Sequence, residues 1–170
     1  MMFKRFSIAA ALFVATAAVF SAFAPGAAAE TPPQPDAFVA GRGVLVAHGT
    51  GVAAVKGRMD YRATAGEAVL LVKDIAGDAR VDVEGIGGTG EWRGFKVYFG
   101  FHGSAHITGS DVAVIVVGRD IDLRAAARGW AYLKGHGTYS VNGHELQRWT
   151  EAGAFAGFAP APVIPATPAP

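Results

Sequence analysis

Apolar residues alternate with polar residues or glycine along most of the chain between residues 39 and 152. In one such stretch, Ala53 and Val55 share one face of an extended chain, and Lys56 lies on the other. Alternation of this kind predicts β-strands that are buried on one side. The best helical window, residues 120–128, fits a strand equally well. The pattern therefore predicts a single all-β domain over residues 39–152.

Four copies of a five-residue pattern, Gly-x-Ala-x-aliphatic, follow one another at a fixed spacing of 26 residues. The glycines that open the four copies are Gly51, Gly77, Gly103 and Gly129. A fixed period of this size is typical of repeat-built folds. Turn signals recur at about half the period, among them residues 48–51, 118–120, 128–129 and 142–143. Each repeat is therefore predicted to be one up-down pair of strands.

The side chains of the repeat are predicted to divide between the two faces of the sheet. The inward positions are Ala53, Val55, Ala79, Val81, Ala105, Ile107, Ala131 and Leu133. The outward positions are Lys56, Arg80, Asp82, His106, Tyr132 and Lys134. We predict an antiparallel meander of about eight to ten strands that closes into a small β-barrel or sandwich. The alternative is a parallel β-solenoid with one coil per repeat.

One segment is apolar on both faces. Residues 112–117 read Val-Ala-Val-Ile-Val-Val, without a polar side chain. Such a run is typical of a central strand that is covered on both sides. The alternatives are a surface for a partner and a sheet edge that is protected by self-association.

Both ends of the chain have compositions unlike that of the β domain. Residues 1–29 have the basic start, the apolar run and the final Ala-x-Ala of a secretory signal peptide. The alternative for this segment is a membrane anchor. Residues 30–38 are predicted to be a Pro-rich linker, and residues 153–170 an Ala/Pro-rich disordered tail. The protein is therefore predicted to be exported to the periplasm or the extracellular space.

The charge changes when the signal is removed. The chain has 15 basic and 14 acidic residues. Removal of Lys4 and Arg5 with the signal leaves 13 basic residues against 14 acidic ones. A near-neutral exported chain lacks the basic surface that nucleic acid requires. The chain also has no cysteine, so packing and sheet hydrogen bonds must hold it together without disulfides.

Residues that carry chemistry are few. His102 and His106 share a strand face, but four residues of extended chain span about 13 Å, too far for one metal ion. The acidic residues around the turns are interpreted as solvated turn carboxylates rather than calcium ligands. After the signal the only serines are Ser104, Ser110 and Ser140, and none lies in a nucleophile elbow. We predict a protein that is not an enzyme and that needs no cofactor or metal.

Aromatic residues are the best candidates for a binding surface. Trp130 and Tyr132 take outward positions if Ala131 and Leu133 face inward. Trp92 lies beside a Gly-rich loop that departs from the repeat. Exposed rings with polar neighbours can hold a sugar or a partner protein, so Trp92, Trp130 and Tyr132 are the candidate ligand-binding residues. The alternative is that these rings pack against a loop or against Phe155 and Phe158.

These observations lead to three functional hypotheses. The first is an exported, non-enzymatic envelope or extracellular protein with a structural or adhesive role. The second is a periplasmic binding module for a small ligand or a glycan. The third is a small outer-membrane β-barrel, because apolar strands of period two can span that membrane. The partners expected are therefore an envelope component, a glycan or a second copy paired through a β edge.

Overall fold

The computed structural model describes residues 43–158, and it places eight strands and no helix in that range. The strands are β1 (Gly43–Thr64), β2 (Glu67–Asp74), β3 (Arg80–Val83), β4 (Gly88–Trp92), β5 (Phe95–Phe101), β6 (Ser104–Val141), β7 (Gln147–Trp149) and β8 (Ala154–Gly157). The all-β prediction is confirmed. Residues 43–158 accordingly hold no helical segment suited to crossing a bilayer. The predicted signal peptide and linker lie outside the described residues.

The strands form one antiparallel sheet with the order β1–β6–β2–β5–β4, and β3, β7 and β8 each pair with β6. In this order the sheet is not closed. Because every pairing of the described strands is antiparallel, the parallel solenoid is wrong. The meander is wrong as well, since β1 pairs with β6 and β6 with β2, whereas a meander pairs consecutive strands.

The two long strands, β1 and β6, dominate the sheet. Val55 in β1 pairs with Val114 of β6 on one side and with Ala131 of β6 on the other. Residues 122–127 of β6 pair with both ends of β1, residues 43–48 and residues 59–64. Hydrogen bonding along both edges leaves the middle of β1 without a free edge among the described strands, and its inward side chains are buried.

Three of the predicted turns lie inside these strands. Residues 48–51 belong to β1, and residues 118–120 and 128–129 belong to β6. At the first of these places Gly51 faces Gly135 across the ladder, with φ angles of 138° and 134°. A Cβ on Gly51 would collide with the carbonyl oxygen of Lys134. Glycine here therefore permits a bend with close backbone approach, and the ladder continues through it.

The turn at Asn142-Gly143 is confirmed. Both residues have positive φ, 56° and 71°, and the amide of His144 donates to the carbonyl of Val141 at 3.0 Å. The Asn142 side-chain oxygen accepts from the amide of Val44 at 2.8 Å. The turn thereby holds the end of β6 against the start of β1.

The core agrees with the predicted inward positions except in β3. Ala53, Val55, Ala105, Ile107, Ala131 and Leu133 are buried, and half-buried Ala79 packs against them. Val81, which the alternation also predicts to face inward, is 36% exposed. That prediction is wrong because β3 has only four residues and pairs with β6 at the margin of the sheet.

The central-strand interpretation of residues 112–117 is confirmed. These residues lie in β6 between β1 and β2, and all six are buried. Val112, Val114 and Val116 belong to the main core cluster. Ala113, Ile115 and Val117 point to the opposite face, as alternation requires.

The ordered domain extends beyond residue 152. β8 covers Ala154–Gly157 and pairs with residues 130–133 of β6. Phe158 is buried, and its amide donates to the carbonyl of Gly129 at 3.2 Å. The predicted start of the disordered tail at residue 153 is therefore wrong for residues 153–158, because this segment supplies both a strand and a core side chain. The rest of the predicted tail lies outside the described residues.

Candidate functional site

Two of the three candidate aromatic residues meet on one surface. Trp130 and Tyr132 lie two residues apart in β6, and β8 places Phe155 opposite Tyr132. The ring centroid of Phe155 is 4.7 Å from that of Tyr132 and 6.4 Å from that of Trp130, and the planes are tilted by 46° and 50°. We call Trp130, Tyr132 and Phe155 the aromatic cluster. The packing against Phe155 that the sequence left open is therefore present.

The aromatic cluster remains accessible. Phe155 is 40% exposed, and Trp130 and Tyr132 are half-buried. Partial burial raises the pKa of the Tyr132 hydroxyl. Gly153, with a φ of 87°, brings the backbone against the Tyr132 ring, where a Cβ would meet the ring atoms Cζ at 2.8 Å and Cε2 at 2.7 Å. The turn before β8 therefore fixes Tyr132 in place while Phe155 faces outward.

Trp92 lies elsewhere. It ends β4, which pairs with β5 at the end of the strand order opposite to β1. Five inter-strand steps separate it from Trp130 along the sheet, a path of roughly 24 Å. The guanidinium of Arg93 lies 5.0 Å from the centroid of the Trp92 ring. Trp92 is therefore not part of the aromatic cluster.

A second surface feature is a groove that sequence reasoning missed. It has a volume of about 480 Å³ and lies where β1 runs between two segments of β6. The residues that line it are Arg62, Ala63, Thr64, Ser104, Ala105, His106, Asp122, Leu123 and Arg124. We call it the arginine groove. The alternation places Arg62 and Arg124 on outward faces, but they are distant in sequence, and only the register of β1 with β6 brings them together.

Cross-strand pairing sets the geometry of the arginine groove. Arg62 pairs with His106 on one side and with Arg124 on the other. Thr64 pairs with Ser104 and with Asp122 in the same way. The groove therefore presents two short rows of side chains, one with three basic residues and one with two hydroxyls and a carboxylate.

Histidine–carboxylate pairs flank the arginine groove. Nε2 of His106 lies 2.9 Å from Oδ1 of Asp60, and Nδ1 of His48 lies 2.8 Å from Oδ1 of Asp122. Arg62 Nε is 3.7 Å from the same Asp60 oxygen. Although Ser104 lies in the groove, no hydrogen bond joins it to His106 in the described part of the chain. The hydrogen bond between serine and histidine that a hydrolytic triad requires is thus not formed there.

The carboxylates of the turn before β3 hold the backbone. Asp74 accepts hydrogen bonds from the amides of Gly77 and Ala79 at 2.7 and 3.0 Å. Asp78 accepts from the amide of Ser110 at 3.0 Å, and this bond lowers the pKa of Asp78. Among residues 43–158, no three His, Cys, Asp or Glu side chains come together as a group able to hold a metal ion.

Comparison with known proteins found no family model, no curated protein and no solved structure that matches this chain.

Proposed function

We propose that this chain is an exported, non-enzymatic protein of the cell envelope or the extracellular space, with a structural or adhesive role. The observation that carries the proposal is the aromatic cluster on the face opposite the core. Trp130, Tyr132 and Phe155 combine large apolar area with little conformational freedom, which suits a contact surface.

The partner that this surface fits best is a glycan, which connects the adhesive role with the binding-module hypothesis. The tilted rings form a shallow aromatic surface, and the apolar face of a pyranose ring can stack against such a surface. Lys134 follows on the same strand face, and nearby Nδ1 of His136 lies 3.2 Å from Oε1 of Glu151. These polar groups supply hydrogen-bonding partners for sugar hydroxyls.

We also propose that the sheet closes into a small barrel or sandwich and that the chain is built from the 26-residue repeat. What supports closure is the pairing of residues 122–127 with both ends of β1, since a ribbon with such pairing coils around its own core. What supports the repeat is that its first and fourth copies pair with each other, Val55 with Ala131 and Ala53 with Leu133. A coiled ribbon would be a rigid scaffold for the aromatic cluster.

The test is a fluorescence titration of the signal-free chain with soluble cello-oligosaccharides, chito-oligosaccharides and peptidoglycan fragments. We expect at least one glycan class to change tryptophan emission, because Trp130 is partly exposed. Trp130→Ala should abolish the change, and Phe155→Ala should weaken binding by roughly ten-fold, which corresponds to the loss of one aromatic contact of about 1.4 kcal/mol.

Trp92→Ala is the matched control, because Trp92 lies outside the aromatic cluster, and it should bind like the unaltered chain. Urea denaturation of each variant separates loss of binding from loss of folding. Emission that stays flat across the whole panel would contradict the glycan proposal, as would equal effects of Trp92→Ala and Trp130→Ala. Purification that requires detergent would favour the outer-membrane hypothesis instead.

A further inference from the structure

The arginine groove contains an unfavourable arrangement of charge. Arg62 and Arg124 are directly opposite on adjacent strands, so their Cβ atoms are about 5 Å apart. Like charges in this position destabilise a sheet unless something offsets them. Arg62 has Asp60 nearby at 3.7 Å. Arg124, by contrast, has no carboxylate within 4.0 Å among residues 43–158.

The neighbouring carboxylates are already engaged. Asp60 accepts from His106, and Asp122 is paired with His48 at 2.8 Å. Neither of these contacts involves Arg124, whose guanidinium has five N–H donors in a planar fork. The groove therefore combines an uncompensated arginine with space for a small molecule.

We propose that the arginine groove binds a small hydroxy-carboxylate, of which a sugar acid is the chemical class that fits best. A carboxylate matches the planar fork of Arg124 with two parallel hydrogen bonds. A dianionic phosphate fits less well, because Arg62 already has Asp60 at 3.7 Å and a single negative charge is enough to compensate Arg124. The carboxylate would lie between Arg124 and Arg62.

The second row of the groove accounts for the hydroxyl groups of such a ligand. Thr64 and Ser104 face each other and present two hydroxyls, each able to donate and to accept. A volume of about 480 Å³ is far larger than one carboxylate needs and is within the range of small-molecule sites. This site is separate from the aromatic cluster and does not depend on the proposed function.

The probe is sodium galacturonate, and its binding is monitored by the amide chemical shifts in ¹⁵N NMR spectra of the signal-free chain. Galactose is the matched neutral sugar, and inorganic phosphate at equal ionic strength is the competing anion. We expect saturable shifts at Arg62, Ser104 and Arg124 with galacturonate only. Galacturonate oligomers are tested in the same way. If they bind more tightly than the monomer, the natural ligand is an acidic polysaccharide; if they bind equally tightly, it is the free sugar acid.

Two substitutions test the role of the guanidinium. Arg124→Gln should weaken galacturonate binding by roughly ten-fold or more, since a charge-assisted bidentate pair is lost. Arg124→Lys, which keeps the charge but loses the fork, should recover only part of the affinity. Arg128→Gln is the control: Arg128 is exposed on the same strand and opposes Arg58, but it does not line the groove.

Several outcomes would overturn the proposal. Equal affinity of Arg124→Gln and Arg128→Gln would show that the fork of Arg124 is not used. If galactose binds as tightly as galacturonate, the carboxylate does not contribute to binding. If phosphate binds more tightly than galacturonate, the groove recognises another class of anion. The absence of shifts at millimolar galacturonate would overturn it outright. Trp130→Ala should leave galacturonate binding unchanged, so the two proposals fail independently.

Discussion

At the scale of single residues, the most informative side chain in the core is Tyr61. It is fully buried, it pairs across β1 with Ile107 and Ala125, and its hydroxyl has no hydrogen-bond partner among residues 43–158. A buried polar group without a partner costs about 1 to 3 kcal/mol. Burial also raises the pKa of this phenol far above its ordinary value. The Tyr61 ring therefore stabilises the fold by filling space in the core, whereas its hydroxyl destabilises it.

We predict that Tyr61→Phe stabilises the protein by about 1 kcal/mol at neutral pH, measured by urea denaturation. Because burial raises the folded pKa of Tyr61, the phenol ionises more readily in the unfolded chain, and the folded state loses stability as the pH rises above the unfolded pKa of about 10. The alkaline loss of stability should therefore be smaller in Tyr61→Phe.

Tyr139→Phe is the matched control, because the Tyr139 hydroxyl donates to Oε1 of Gln147 and its removal should destabilise. A lower free energy of unfolding in Tyr61→Phe, or an unchanged alkaline profile, would show that the hydroxyl has a partner in solution.

At the scale of strands, paired glycines decide the course of β1 and β6. Gly57 faces Gly129 across the ladder, with φ angles of 137° and 158°. A Cβ on Gly129 would collide with the carbonyl oxygen of Lys56 and lie 2.9 Å from its carbonyl carbon. Both positions lack room as well as conformational freedom for a side chain, so the two backbones touch where the ribbon bends.

We predict that Gly129→Ala destabilises the protein by about 2 to 4 kcal/mol, from backbone strain and overpacking together. The control is Gly88→Ala in β4, where an added Cβ would meet nothing within 4 Å. That change should alter stability by less than about 1 kcal/mol. Urea denaturation of both variants is the measurement, and equal midpoints would contradict the bend that we describe.

The same glycines explain why the strands were predicted only in part. Alternation identified the buried positions Ala53 and Val55, because a strand buried on one side imposes period two wherever it runs. It did not identify the length of β1, since the glycines of residues 48–51 suit a turn and a bend equally well. The difference depends on Gly135 and Gly137, which lie far away in the sequence and face β1 only after folding.

At the scale of the whole molecule, long-range register determines the candidate sites. The outward positions of Trp130 and Tyr132 follow from local alternation, and their contact with Phe155 is the alternative that the sequence leaves open. The arginine groove could not be foreseen, because Arg62 and Arg124 are 62 residues apart and no local pattern links them. One register between β1 and β6 fixes the groove, and the pairing of β8 with β6 completes the aromatic cluster.

This topology also predicts slow folding. The pair between Val46 and Ser140 closes a loop of 94 residues, and residues 122–127 must find both ends of β1. Loop closure costs entropy before the contacts form, so sheets of high contact order fold in milliseconds to seconds. Residues 43–158 contain no proline, so the β domain itself has no slow prolyl isomerisation step.

We therefore predict that the signal-free chain refolds in a main phase of milliseconds to seconds that a prolyl isomerase does not accelerate. Stopped-flow dilution from urea, followed by tryptophan emission, measures this phase because Trp149 is almost completely buried. Gly129→Ala is a useful comparison: if the bend forms late, the substitution speeds unfolding and leaves the refolding rate nearly unchanged. Refolding in microseconds would contradict the long-range pairing of β1 with β6, since local contacts alone form that fast.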